Sequence, residues 1–389
     1  MSLTPAEQRL ADGTLWEDFC DALKEAGKIV HSEKAPKDPL NQAEGYRYLT
    51  RMLRLGLEAA LEYRNPDFPT LRCGAHETIK LGADNPDNRY ESATINPAHD
   101  YRIYGTRGTV DYLGFGTVAN HYGSGGNMET TSYVDARELS IDDDGTFELI
   151  ISQREHPGNW LAMGNGTNQV NVRQTFQDRV NERRAELKIE RIGTGDDRPQ
   201  PLSAEKLERG LLGAVDSIKN ITKLFEDWSE SFLPIENQLP PADQAYCQLI
   251  GGDPNIFYFH SYWNIADDEV FVIDAPTIPE CQTWNFQLDN WWMESLDYVN
   301  HTIHVNKHTA VYNDDGSVKG ILTGDMGVAE DGSEKDGYMP GMELHAKYTV
   351  FAEGCRGHLG KQLIEKFNLD QGKEPQHYGI GIKELWKIP

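Results

Sequence analysis

Between Leu71 and about Ile192 the chain breaks into short runs of β-branched and aromatic residues: Tyr101 to Tyr104, Val110 to Val118, Phe147 to Ile151, Val170 to Phe176 and Leu187 to Ile192. Gly, Pro, Asn and Asp clusters separate them. Runs this short are strand-length, and regular turn signals between them predict antiparallel sheets arranged as a sandwich or barrel. The segment Ile141-Asp142-Asp143-Asp144-Gly145-Thr146-Phe147 places Asp-Gly between two apolar runs, where residues tolerant of the left-handed region favour a tight turn. Its three aspartates do not form a calcium loop, which needs alternating ligands and a distal Glu in a helical frame.

Helical periodicity flanks this region. Thr4-Pro5-Ala6-Glu7 and Thr14-Leu15-Trp16-Glu17 both have capping-box spacing. Leu15, Phe19, Leu23 and Ala26 recur at helical spacing, as do Tyr46, Leu49, Leu53, Leu57 and Leu61 before Asn65-Pro66. Ser203 to Phe232 reads as a further helix, with Leu207, Leu211, Val215, Ile218, Phe225 and Trp228 on one face and Pro234 after it. This helix is expected to cover one face of the sheet. A second β-rich block is expected from Ile256 to Tyr262, Val270 to Ile273, Trp284 to Leu288 and Thr302 to Tyr312. Strands grouped apart from helices predict an α+β fold, mainly β.

Charge limits the partners. A formal net charge of −25 repels phosphate backbones and anionic lipid, which argues against nucleic acid and acidic membranes. No stretch approaches the roughly twenty apolar residues of a spanning helix, and Met1 to Leu10 lacks a signal-peptide pattern; the expected location is the cytoplasm. Cys20, Cys73, Cys247, Cys281 and Cys355 are five, far apart and without a C-x-x-C pair. That spacing disfavours disulfides, structural zinc and an iron–sulfur cluster.

Candidate chemistry is sparse. Asp84, Asp87 and Glu91 surround Tyr90 in an Asn- and Pro-rich loop, where carboxylates serve general acid–base chemistry on a sugar; the same residues also make an ordinary Asx turn. On a strand His304, Asn306 and His308 would share a face, with His301 pointing away, but zinc needs a third protein ligand and no metal is predicted. Trp263, Trp284, Trp291 and Trp292 with Tyr258, Tyr262 and Tyr298 either line a ligand cleft or pack a core. The chain has no G-x-S-x-G, H-E-x-x-H or P-loop.

Leu81 to Tyr90, Tyr101 to Gly108, Pro157 to Leu161, Val172 to Phe176, Trp284 to Leu288 and Val305 to Ala310 resemble a bacterial family of unknown function, number 1214 of its series. The resemblance spans most of residues 70 to 312 and implies a β-sandwich or jelly roll without naming an activity. Past Tyr312, Gly341 to Lys347, Phe351 to Leu359 and Tyr378 to Trp386 resemble electron-transfer-flavoprotein:ubiquinone oxidoreductase. That resemblance implies a buried strand from Lys347 to Ala352, a glycine turn and a helix from His358 to Phe367, with Glu353, Gly354, Arg356 and Gly357 facing FAD. A G-x-G-x-x-G turn near the N-terminus and a cysteine quartet are missing, so most of a flavin pocket and the cluster ligands are absent.

Three segments are therefore expected: helical residues 1–69, a β-rich region 70–312 containing helix 203–233, and a truncated flavoprotein-like fragment 313–389, joined near Asp315. The β-rich region is expected to bind or transform a small organic ligand or glycan without a cofactor. The alternatives are an FAD-dependent oxidoreductase and an interaction module whose strand edge at Lys347 to Ala352 invites self-association.

Overall fold

The structure, a computed structural model, describes residues 3–193, 195, 197–264 and 280–310, and the strands at 321–322, 326–328, 334–339 and 343–344. The chain divides into two compact units, one of residues 1–270 and 279–310, the other of residues 271–278 and 311–389. Helices and antiparallel sheets coexist without a closed barrel among the described strands, an α+β fold.

Among the described residues, five α-helices belong to the first unit: α1 (Pro5–Asp12), α2 (Thr14–Gly27), α3 (Pro39–Leu57), α4 (Ala204–Glu230) and α5 (Gln244–Leu249). At Thr4 the expected capping box forms, the Thr4 amide donating to Glu7 Oε2 at 2.7 Å and the Glu7 amide to Thr4 Oγ1 at 3.3 Å. The box expected at Thr14 does not form, because Gly13 at φ +85° both ends α1 and starts α2. A one-residue link in the left-handed region suits glycine, and it puts Thr14 inside the helix.

Leu15 and Phe19 of α2, Tyr48 and Met52 of α3, and Leu211, Val215, Ile218 and Phe225 of α4 share one buried core with Trp291 and Trp292. Each fully buried large side chain there contributes about 1.5–3 kcal/mol. So α4 packs on helices, not across a sheet as its periodicity suggested: an amphipathic stripe specifies an apolar partner without saying which kind. Its link to the sheets is local, an edge-on contact of Phe225 with Tyr122 at 5.9 Å.

Eleven strands follow in the same unit: β1 (Arg72–Ala75), β2 (Asn88–Thr94), β3 (Tyr101–Thr106), β4 (Tyr112–Asn120), β5 (Met128–Asp135), β6 (Thr146–Ser152), β7 (Trp160–Ala162), β8 (Gln169–Thr175), β9 (Glu186–Arg191), β10 (Asn285–Gln287) and β11 (His304–Asn306). One sheet has the order β1-β2-β8-β4-β5, a second the order β7-β6-β3-β9, and β10 pairs with β11. Every pairing is antiparallel except β6 with β7. Ile103, Phe115, Leu149, Leu161, Val170 and Val172, drawn from both larger sheets, share a second core. Alternation is clean on β3, where Tyr101 and Ile103 are buried while Arg102 points outward to Glu148 and Glu190, both at 2.7 Å.

Of the second β-rich block, Val270 to Ile273, residues 311–312 and the junction near Asp315 lie outside the described residues, and β10 and β11 fall within the expected runs from Trp284 and Thr302. Residues 256–262 form isolated bridges, Pro241 with Phe259 and Glu236 with Tyr262, and no named strand. In the second unit the described elements are two strand pairs, β12 (Ile321–Leu322) with β15 (Glu343–Leu344), and β13 (Met326–Val328) with β14 (Glu334–Met339). The segment 347–352, the helix 358–367 and Glu353, Gly354, Arg356 and Gly357 lie outside the described residues.

Candidate functional site

Where β8 ends, the chain crosses from the first sheet to the second, and this crossing forms one wall of a cleft. The strand β2 pairs with β8, Asn88 opposite Thr175 and Arg89 opposite Gln174, and on its other side with β1, Cys73 opposite Glu91. Past Thr175, Asp178 turns the backbone by accepting the amides of Val180 at 3.0 Å and Asn181 at 3.2 Å. Glu182 accepts the Gln177 amide at 3.0 Å. Between this turn, β1 and the start of β2 opens a cleft of about 250 Å³. Among its lining residues are Cys73, His76, Arg89, Arg179, Arg184 and Tyr298.

Three guanidinium side chains thus meet in one cleft of a strongly anionic protein. Arg179 lies 4.8 Å from the Phe176 ring. It donates to the carbonyls of Pro86 and Asn88, the latter at 3.3 Å, and has no carboxylate partner among the described residues. Arg89 donates to Glu91 at 2.9 Å, and its buried Nε has no partner among the described residues. Arg184 donates to Glu186 at 2.7 Å. Burial pushes the His76 imidazole below its ordinary value and the Cys73 thiol above its own, so both are neutral near pH 7.

Asp84, Asp87 and Glu91 are not among the lining residues; each holds a different neighbour. Asp84, buried, accepts the Ser295 amide at 3.1 Å and its hydroxyl at 2.9 Å. Burial drives its carboxyl well above the carboxylate range. Lys80 donates to the carbonyls of Ser295 at 2.8 Å and Leu296 at 2.7 Å and sits 4.4 Å from the Tyr298 ring, while burial lowers its ammonium. Asp84 and Lys80 together grip the segment that ends in the cleft-lining Tyr298. Glu91 accepts from Arg89 and, at 2.9 Å, from Gln174, whose own amide group bonds both the N–H and the carbonyl of Ala185. It therefore ties a lining arginine to the sheet crossing.

Asp87 stands 3.1 Å from His304 Nε2. Both Asp87 Oδ2 and His304 Nδ1 are buried with no partner among the described residues. His308 faces Asp178 at 3.5 Å instead, so the histidines of that stretch address separate carboxylates. No group of three metal-ligating side chains occurs among the described residues. The aromatic residues scatter too: Trp291 and Trp292 enter the helical core, Trp292 stacking on Tyr48 at 6.2 Å, and Trp263 stays exposed.

A second polar cluster had no sequence signal. Asp253, 1% exposed, accepts from Arg173 at 2.5 Å, Tyr112 at 2.9 Å and Tyr133 at 3.0 Å, all through one oxygen. Its other oxygen accepts the Asn255 amide at 2.9 Å. Arg173 also lies 5.6 Å from the Tyr90 ring. Burial raises the Tyr112 and Tyr133 phenols, which stay protonated as donors. The cluster pins the segment after α5 onto the outer face of the first sheet. It covers the Tyr112 end of β4, a strand buried along nearly its whole length.

A solved structure of an uncharacterized protein from Burkholderia cenocepacia is 48% identical, with a TM-score of 0.77 over 79% of this chain and 86% of that one. The chain belongs to the family of that protein. No family model matches it. Electron transfer flavoprotein-ubiquinone oxidoreductases also match part of the chain. The Pseudomonas aeruginosa protein is 37% identical over 181 residues, 46% of this chain and 31% of its own length. The human mitochondrial protein is 60% identical over 176 residues, 43% of this chain and 25% of its own. The chain thus spans about a third or less of these relatives. The share of this chain that they match exceeds residues 313–389, on which the sequence resemblance rests. Among the described residues no helix is long and apolar enough to cross a membrane.

Proposed function

We propose that the β-rich region binds a small organic ligand in the cleft between β1, β2 and the crossing after β8. The cleft itself carries this reading. Polar side chains from four separate stretches converge on a concavity of about 250 Å³, just below the usual range of small-ligand sites, and hydrogen bonds of Asp84, Glu91 and Lys80 hold its walls. Two sheets, antiparallel but for β6 with β7, around a shared core support the sandwich that resemblance to the 1214 family implies. Asp84, Asp87 and Glu91, none of which lines the cleft, are positioning residues on this reading, Asp87 through its carbonyl, which accepts the amide of the lining Phe176 at 2.9 Å. Cys73 supplies the test: a bound ligand protects it from N-ethylmaleimide at alkaline pH, read by peptide mass spectrometry with Cys20 as internal control. Equal alkylation of Cys73 across a fragment library sinks the proposal.

A second reading rests on the partial matches to electron transfer flavoprotein-ubiquinone oxidoreductases. On it, residues 313–389 derive from such an enzyme, and Glu353, Gly354, Arg356 and Gly357 would contact FAD. Flavin absorbance in the purified full chain supports it, and a colourless protein that takes up no added FAD removes it. Self-association through a strand edge is the remaining proposal, and a concentration-independent monomer mass by light scattering eliminates it.

A further inference from the structure

We infer that the ligand of this cleft is a small organic anion, its charged group held by Arg179 with Arg89 and Arg184. The inference rests on the ligand-binding reading above and names the class of ligand. Arg179 comes from the Asp178 turn, Arg89 from the start of β2 and Arg184 from the approach to β9, so the tertiary fold is what assembles the three. Glu91 and Glu186 take up part of the charge of Arg89 and Arg184. Glu77, the one carboxylate among the described lining residues, is more than half exposed and contacts His76 at 3.8 Å. Arg179 retains its full charge without a carboxylate among the described residues, although backbone carbonyls and the Phe176 face fix its position.

Both carbonyl bonds of Arg179 leave from Nη2, so its Nε–H and Nη1–H groups remain to make charge-assisted bonds to a carboxylate or phosphate. The net charge of −25 opposes an approaching anion only weakly at contact, because charges farther than about 8 Å are screened at physiological ionic strength. The arginines nearest the bound group therefore decide the sign of the site. Tyr298 and Phe176 supply the apolar surface against which the remainder of the ligand rests.

The test uses the full chain with benzoate, benzamide and inorganic phosphate, followed by ligand-observed NMR and calorimetry at low and high salt. Benzoate is expected to bind and benzamide, of the same shape without the charge, to bind at least about tenfold more weakly, the value of one charge-assisted hydrogen bond. Arg179→Gln is expected to weaken benzoate by about 10–100-fold, and Arg179→Lys by less. Phosphate binding with the same Arg179 dependence also supports the anion site and makes a phosphoryl group its preferred head. Equal binding of benzoate and benzamide, unchanged in Arg179→Gln, overturns the anion inference while leaving the ligand reading intact. Absence of binding by all three probes, with Cys73 alkylated at the same rate throughout, overturns both.

Discussion

Replacing Asp253 by Asn tests the buried cluster that fastens the segment after α5 to the first sheet. One carboxylate oxygen of Asp253 accepts from Arg173, Tyr112 and Tyr133, and the other from the Asn255 amide. An Asn amide has a single acceptor oxygen. If that oxygen faces Arg173, the new NH₂ meets the Asn255 N–H; if the amide flips, it meets the guanidinium. The phenols can rotate to become acceptors, but the guanidinium cannot. Arg173, with 18% of its side chain exposed, is then a largely buried cation without its counter-charge, a loss of about 3–5 kcal/mol. Tyr133→Phe removes one hydrogen bond to a charged acceptor and is expected to cost about 1.5–3 kcal/mol. The assay is urea denaturation of the full chain at neutral pH, followed by far-ultraviolet circular dichroism and tryptophan fluorescence. In the double variant Arg173→Met with Asp253→Asn the loss should fall short of the sum of the single losses by at least about 1 kcal/mol, since the groups touch. A loss under about 1 kcal/mol for Asp253→Asn, or strict additivity in the double variant, would refute the argument.

Three further outcomes follow from other parts of the molecule. A Cβ at Gly45 would lie 2.6 Å from the Trp292 ring, and since Gly45 is buried on α3 and Trp292 is buried in the helical core, Gly45→Ala should cost about 1–3 kcal/mol by overpacking; a neutral thermal melt counts against close packing there. Burial raises Asp289 to about 6. Its contribution to stability is complete below the ordinary carboxylate value near 4 and is lost as pH rises through 6. Asp289→Asn should therefore gain on the wild type between pH 4 and 7 by about 1–3 kcal/mol, and a pH-independent difference in urea midpoint contradicts this. Burial lowers His260, ringed by Trp228 and Phe232 at 5.0 Å each, to about 4. Stability tied to its neutral form is present above about 6.5 and lost as pH falls through 4, so His260→Phe should flatten acid denaturation in that window, and an unchanged acid limb in a pH titration of circular dichroism goes against it.

Local chemistry alone determined much of this protein. Thr4 with Glu7 caps a helix because two side-chain acceptors meet two free amides within one turn. Tyr101 and Ile103 point inward because a strand alternates its faces, and Asp178 and Asn181 make a turn from their own side chains. The α+β class follows from these periods, since strand-length and helix-length apolar runs occupy different stretches of the chain. What each apolar face meets was decided only in three dimensions. The stripe of α4 fits a sheet or a helix equally well, and it is Ala214 against Gly56 of α3 and Gly210 against Leu61 just beyond it that commit it to helices. The candidate site has the same origin. Asp84 and Glu91 drew attention as acids in a short loop, yet burial turned them into braces for Ser295 and Arg89. Arg89 lies some ninety residues from Arg179 and Arg184 in sequence, and the pairing of β2 with β8, which carries no local signature, is what sets Arg89 beside the turn that bears Arg179.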